Sequence, residues 1–155
     1  MSRESALWTW LAKAKLTFRE SLHMLRIETS TMKGFPDVEG YLSIKSVPGG
    51  GGNFLMELKS SERPAKSETV VRFKVRDREA QINFLKKRWK LGHNAWLLLQ
   101  VGSGNQGKRY LIPGQHAQMV YDGVPEWTLL QLSVIHPKHS PTEIIQAAVR
   151  YRDVY

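Results

Sequence analysis

Between Ala95 and Val101 the chain reads Ala-Trp-Leu-Leu-Leu-Gln-Val, a short and nearly continuous apolar run. It is far too short to span a bilayer and has the pattern of a strand buried inside a sheet. What surrounds it narrows the choice of fold. From Arg78 to Leu91, Ile82, Leu85 and Trp89 recur at helical intervals, Lys86, Lys87, Arg88 and Lys90 crowd the other positions, and Gly92 stops the helix. Lys108 to Ile112 reads as a further strand, followed by a short helix from Gln115 to Tyr121.

Upstream, residues 4–15 place Leu7, Trp8 and Leu11 near helical spacing, and His23 to Ile27 reads as extended. Two strands are predicted at Tyr41 to Val47 and Phe54 to Lys59, folded back as a hairpin through Pro48-Gly-Gly-Gly-Gly-Asn53. Residues 60–77 are polar, contain Pro64, and predict a loop or a ragged edge strand. Near the end, Ser140-Pro-Thr-Glu143 has the form of a capping box opening a helix to about Tyr151. This order of elements predicts α/β or α+β architecture with a mixed sheet. A length of 155 residues suits one domain, with a core over about 1–112 and a C-terminal extension over 113–155.

Charge bounds the partners. Twenty-three Lys plus Arg against fourteen Asp plus Glu leave +9, which favours a polyanion, either nucleic acid or an anionic membrane surface. No long basic amphipathic helix with a wide apolar face supports the membrane. The absence of cysteine excludes disulfides, thiolate zinc sites and thiol nucleophiles. Met1-Ser-Arg-Glu-Ser5 carries charge at once and has no signal-peptide apolar region, so a cytoplasmic protein is expected.

The chemistry-bearing stretch is Gly34-Phe-Pro-Asp37, followed after nineteen residues by Glu57-Leu-Lys59. On a strand, Glu57 and Lys59 project to one side while Met56 and Leu58 face the core. Pairing the two strands can bring the Asp37 and Glu57 carboxylates together, and such a pair suits a hard cation, Mg2+ or Mn2+. That ion can polarise a phosphate and lower the pKa of an attacking water, with Lys59 positioning the water or offsetting developing charge. Taken singly, Glu-x-Lys pairs are commonly solvated strand charges and Pro-Asp a turn opening. Their order, with a glycine-rich hairpin between them in a basic chain, favours function.

Elsewhere the signals are weaker. Gly49 to Gly52 lacks the Gly-Lys-Ser/Thr of a P-loop, and no Gly-x-Ser-x-Gly elbow occurs. His136-Pro-Lys-His139 lacks the helical spacing of a zinc pair. Arg72, Lys74 and Arg76 alternate, so as a strand they share one face, able to grip a phosphate backbone or simply to protect an edge.

The pattern Gly34-x-Pro36-Asp37 … Glu57-x-Lys59 resembles the signature of the PD-(D/E)XK nuclease superfamily, and more closely the VRR-NUC nucleases and small phage endonucleases. The similarity runs from about Leu22 to Val101. It takes in His23-Met-Leu-Arg-Ile-Glu28, Phe54-Leu-Met-Glu-Leu-Lys59, Gln81 and Gly92-His-Asn-Ala-Trp-Leu-Leu-Leu99. The resemblance implies an α/β restriction-endonuclease-like core, a mixed β-sheet flanked by helices. It also implies Asp37, Glu57 and Leu58 as metal ligands, Lys59 as the helper of the catalytic base, and Gln81 beside the metal. An acidic residue from the first helix is implied as well, for which Glu4 is nearest and Glu20 and Glu28 compete. Arg26 and Lys33 flank the implied site and can contact the scissile strand.

A Mg2+- or Mn2+-dependent DNA endonuclease is therefore expected. The resemblance adds branched DNA, especially Holliday junctions, as substrate, a role in DNA recombination, a homodimer making paired cuts, and a phage or bacterial setting. The alternative is a non-catalytic nucleic-acid-binding protein that keeps a nuclease-like fold.

Overall fold

The computed structural model describes residues 3–28, 32–43 and 51–154. Five strands form one mixed sheet in the spatial order β1 (Leu22–Arg26), β2 (Val38–Leu42), β3 (Gly52–Ser61), β5 (Ala95–Val101), β6 (Lys108–Pro113). β1, β2 and β3 run antiparallel to one another, β3 and β5 are parallel, and β6 returns antiparallel to β5. The parallel pair demands a crossover. It is made by the segment holding β4 (Val70–Val71) and helix α3 (Arg78–Lys90).

All seven residues of β5 are buried, because helices cover both faces of the sheet. On one face Met56, Leu58, Trp96, Leu98 and Leu111 meet α1 (Arg3–Ala12), α2 (Ala14–Phe18) and α6 (Pro141–Val154) through Leu7, Leu11, Ala14, Phe18, Ile144 and Ile145. The Trp96 indole N–H donates to the Ala148 carbonyl at 2.9 Å, which ties the last helix to the central strand. On the other face Leu97, Leu99 and Ile112 meet Ile82 and Leu85 of α3. Val120 and Tyr121 of α4 (Ala117–Asp122) and Leu129 of α5 (Glu126–Leu132) complete that layer. The segment after β6 thus contributes to both cores.

The fold is the α/β arrangement expected, a mixed sheet flanked by helices, and local differences have physical causes. The first helix, predicted over 4–15, breaks after Ala12 into α1 and α2, which lets Ala14 and Phe18 reach the core. β2 begins at Val38, earlier than the predicted Tyr41. Val38, Gly40 and Leu42 face inward, and a Cβ on Gly40 would stand 2.3 Å from the Phe54 ring. The rest of that predicted strand, and the hairpin tip up to Gly50, lie outside the described residues.

Of the loop and the ragged edge strand expected over residues 60–77, the loop is found at 72–76. β4 is confined to Val70–Val71 and pairs only with β7 (Val124–Pro125) in a separate two-stranded sheet. The Arg72 carbonyl is taken by the Ser61 hydroxyl at 2.9 Å, and Phe73 and Val75 turn onto the second core. Arg72, Lys74 and Arg76 stay exposed between them, so the alternation survives without the ladder. Among the described residues, no helix is long and apolar enough to cross a membrane.

Candidate active site

Asp37 leads into β2 from a loop pressed against α3. Gly34 has φ +82°, and a Cβ there would sit 2.4 Å from the Ala80 carbonyl oxygen, so only glycine allows this approach. The Asp37 carbonyl accepts the Ile27 N–H at 2.7 Å, joining the loop to the end of β1. The β2–β3 ladder ends at the Val38–Met56 pair, and beyond it the Leu58 N–H donates to Asp37 Oδ2 at 2.8 Å. Asp37 is therefore held from both sides by main chain.

Glu57 and Lys59 stand on β3 opposite Leu97 and Leu99 of β5, on the face otherwise filled by the second apolar core. Both are buried, at 2% and 7% exposure, and Lys59 Nζ lies 2.8 Å from Glu57 Oε1. That lysine does not keep Glu57 ionised. Burial first, and then the Asp37 carboxylate, push the Glu57 carboxyl up to about 8, against the opposing pull of Lys59.

Gln81 lies on α3 and lines the same cleft, of about 630 Å3, together with Asp37, Glu57, Lys33 and Arg76. Its Nε2 donates to the Arg76 carbonyl at 3.1 Å, and its Oε1 accepts the Tyr121 hydroxyl at 2.8 Å. These bonds fix which way the amide points and leave its second N–H as the remaining donor. Burial, followed by the charges of Glu57 and Asp37, shifts the Tyr121 phenol upward, so it stays a donor.

Sequence reasoning missed Tyr121, since nothing local to α4 ties it to a helix forty residues earlier. It also missed Asp77, which lines the cleft. Asp77 holds φ 52° at the N-cap of α3 without a side-chain capping bond, a strained conformation for a non-glycine residue. Its position just ahead of a helical pattern was the available signal.

The remaining expected residues fall in different places. Glu28 lines the cleft. Glu4 sits on α1, which packs on the opposite sheet face, and lines a separate groove of about 920 Å3 with Arg3, Arg72 and Lys74. Glu20 lies in the exposed turn Arg19–Ser21. Both guanidinium nitrogens of Arg26 reach Ser5 Oγ at 3.4 Å. The His136 and His139 rings are 5.9 Å apart, and His139 is paired with Glu143.

Among the described residues, no three His, Cys, Asp or Glu side chains group to hold a metal. What the chain offers is two carboxyls lining one cleft, one of them buried and raised well above the usual carboxylate range. Hard oxygens in that number fit a divalent ion such as Mg2+, which is commonly held by one or two carboxylates and keeps several waters.

No family model matches the chain, and no curated protein matches it. Among solved structures it is similar to Archaeoglobus fulgidus Hjc, a Holliday junction resolvase from an archaeal hyperthermophile. The two share 18% identity at a TM-score of 0.39, over 83% of this chain and 95% of that one.

Proposed function

We propose that this protein is a divalent-metal-dependent endonuclease that hydrolyses phosphodiester bonds in DNA. The observation that carries the reading is the pair of Asp37 and Glu57 carboxyls lining one cleft with Lys33 and Arg76, backed by buried Lys59 2.8 Å from Glu57. Two acids are held together at a cost that a cation removes, beside cations suited to phosphate.

Asp37 and Glu57 would hold Mg2+ or Mn2+, with Leu58 contributing through its main chain. The ion supplies polarisation of a phosphate oxygen and a lowered pKa for water. Lys59, 2.8 Å from Glu57, would offset charge developing on the phosphate. The remaining Gln81 N–H is a donor for a phosphate oxygen, and Lys33 and Arg76 draw the backbone into the cleft.

Branched DNA is the substrate favoured by the sequence resemblance, and paired cuts across a junction call for two copies of the chain. The deciding experiment incubates the protein with linear duplex, single-stranded, flapped and four-way DNA, with and without Mg2+ or Mn2+. Glu57→Gln is assayed in parallel. Metal-dependent cleavage that disappears in the variant while DNA binding persists supports the reading. Cleavage unchanged by Glu57→Gln overturns the site, and binding without cleavage under either metal leaves a binding module.

A further inference from the structure

Helix α3 carries a second feature beyond Gln81. Asn83, Lys86, Lys87 and Lys90 are spaced 0, 3, 4 and 7 along it, and all four are exposed, so they form one stripe. The stripe borders a hollow of about 590 Å3, completed by Trp89 and Gln115 and containing no acidic residue.

The charge on this stripe is uncompensated. The helix has a single acid, Glu79, in its first turn, and no ion pair is made by Lys86, Lys87 or Lys90 among the described residues. Arg88, by contrast, is engaged, lying 4.7 Å over the Phe84 ring and 3.3 Å from His93 Nδ1. Lysines three and four apart repel and weaken a helix, which the C-terminal end of the macrodipole offsets only in part. A polyanion laid on this face relieves the repulsion.

The geometry points to duplex DNA as that polyanion. Gln81, in the cleft, and Lys90, at the far end of the stripe, lie nine residues apart on one helix, about 13 Å along its axis. One DNA strand carries a charge for about every 3.4 Å of duplex axis, so a backbone following the stripe places about two to three phosphates along the three lysines. A membrane surface fits less well. The apolar side of α3 is turned inward through Ile82 and Leu85, and Trp89, though it lines the hollow, packs edge-on against buried Trp96 at 5.0 Å, so no apolar side chain of the helix is exposed for insertion.

We infer that the lysine stripe of α3 is a docking rail for the sugar–phosphate backbone of duplex DNA, carried by the same helix that brings Gln81 to the cleft. This rests on the cleft being a phosphodiester site.

The test compares wild-type protein with K86Q/K87Q/K90Q, and with K13Q/K15Q/K138Q as a control of equal charge change. Affinity for a labelled duplex is measured by anisotropy across a KCl series in EDTA, circular dichroism checks the fold, and cleavage is followed with metal at saturating DNA. Each lost phosphate contact lowers the slope of log affinity against log salt by about 0.9. The α3 variant is expected to lose about 2–3 from that slope and at least about tenfold in affinity near 0.1 M salt. Its cleavage of bound DNA should stay at the wild-type rate, and the control should keep its slope.

Equal slopes in all three proteins, or equal losses in both variants, overturn the inference. So does loss of binding to phosphatidylserine vesicles with DNA affinity untouched. Wild-type protein that binds no duplex overturns the rail, whereas the nuclease reading stands or falls on cleavage of the branched substrates. A lysine-dependent slope without cleavage under either metal supports the rail and overturns only the catalytic reading.

Discussion

The phenolic hydroxyl of Tyr121 donates to Gln81 Oε1 at 2.8 Å and so decides which end of that amide remains for the cleft. Tyr121 belongs to α4, beyond the last strand of the main sheet, and is itself almost fully buried. Its hydroxyl works through Gln81, as a positioning group. Tyr121→Phe is expected to keep the fold, to cost about 1 kcal/mol of stability, and to slow cleavage at saturating DNA by about tenfold. DNA affinity in EDTA should hardly move. An unchanged rate constant for bound substrate would remove Tyr121 from the site.

Metal binding should release a proton. Burial and Asp37 hold the Glu57 carboxyl at about 8 without metal, and a ligating carboxylate must be ionised. Below that pH the affinity for Mn2+ should rise with pH, by up to about tenfold per unit, and then level off. Calorimetry in two buffers of different ionisation enthalpy should count roughly one proton per ion near pH 7. The Glu57→Gln variant should release none, and equal proton counts in the two proteins would contradict the raised Glu57 carboxyl.

The same group makes a prediction for the metal-free protein. Glu57 holds its proton to about 8 when folded, against an ordinary 4.5, so between these limits the folded state binds more protons than the unfolded one. Stability from this group is therefore fully present below 4.5 and is lost as pH rises through about 8, at up to about 1.4 kcal/mol per pH unit. Urea unfolding at several pH values in EDTA should show wild type weakening toward alkaline pH relative to Glu57→Gln. Parallel curves would exclude the raised carboxyl.

Gly34 and Gly92 offer a paired measurement. Both have positive φ, at +82° and +97°, but a Cβ at Gly34 meets the Ala80 carbonyl at 2.4 Å whereas one at Gly92 meets nothing. Gly92→Ala should cost about 1 kcal/mol from backbone conformation alone. Gly34→Ala should cost about 3 kcal/mol and displace the loop that carries Asp37. It should therefore weaken Mn2+ binding as well. Equal thermal shifts in the two variants would show that the close approach to α3 does not matter.

Much of this was legible where the signal is local. The apolar run over Ala95–Val101 and the helical spacing of Ile82, Leu85 and Trp89 each state one element within a few residues, and both elements stand where expected. Glu57 and Lys59 were readable as neighbours because strand geometry fixes positions two apart. What the sequence did not disclose depends on distant chain. β7 and α5 carry too few residues for a period, and Val124 pairs with Val71 across the fold. Arg72 to Arg76 has the alternation of a strand, yet no partner strand lies beside it. The proton held by Glu57 needed knowledge of its depth and of the Asp37 charge near it, neither of which is written in the spacing of 37 and 57.

The parallel pairing of β3 with β5 has a consequence for how the protein comes to exist. Glu57 and Lys59 have no wall beside them until Leu97 and Leu99 arrive, some forty residues later in synthesis. While the chain is still emerging, Glu57 is an ordinary hydrated acid. Closing this long-range pair, a slow kind of step in folding, is what sets the acid's unusual affinity for a proton.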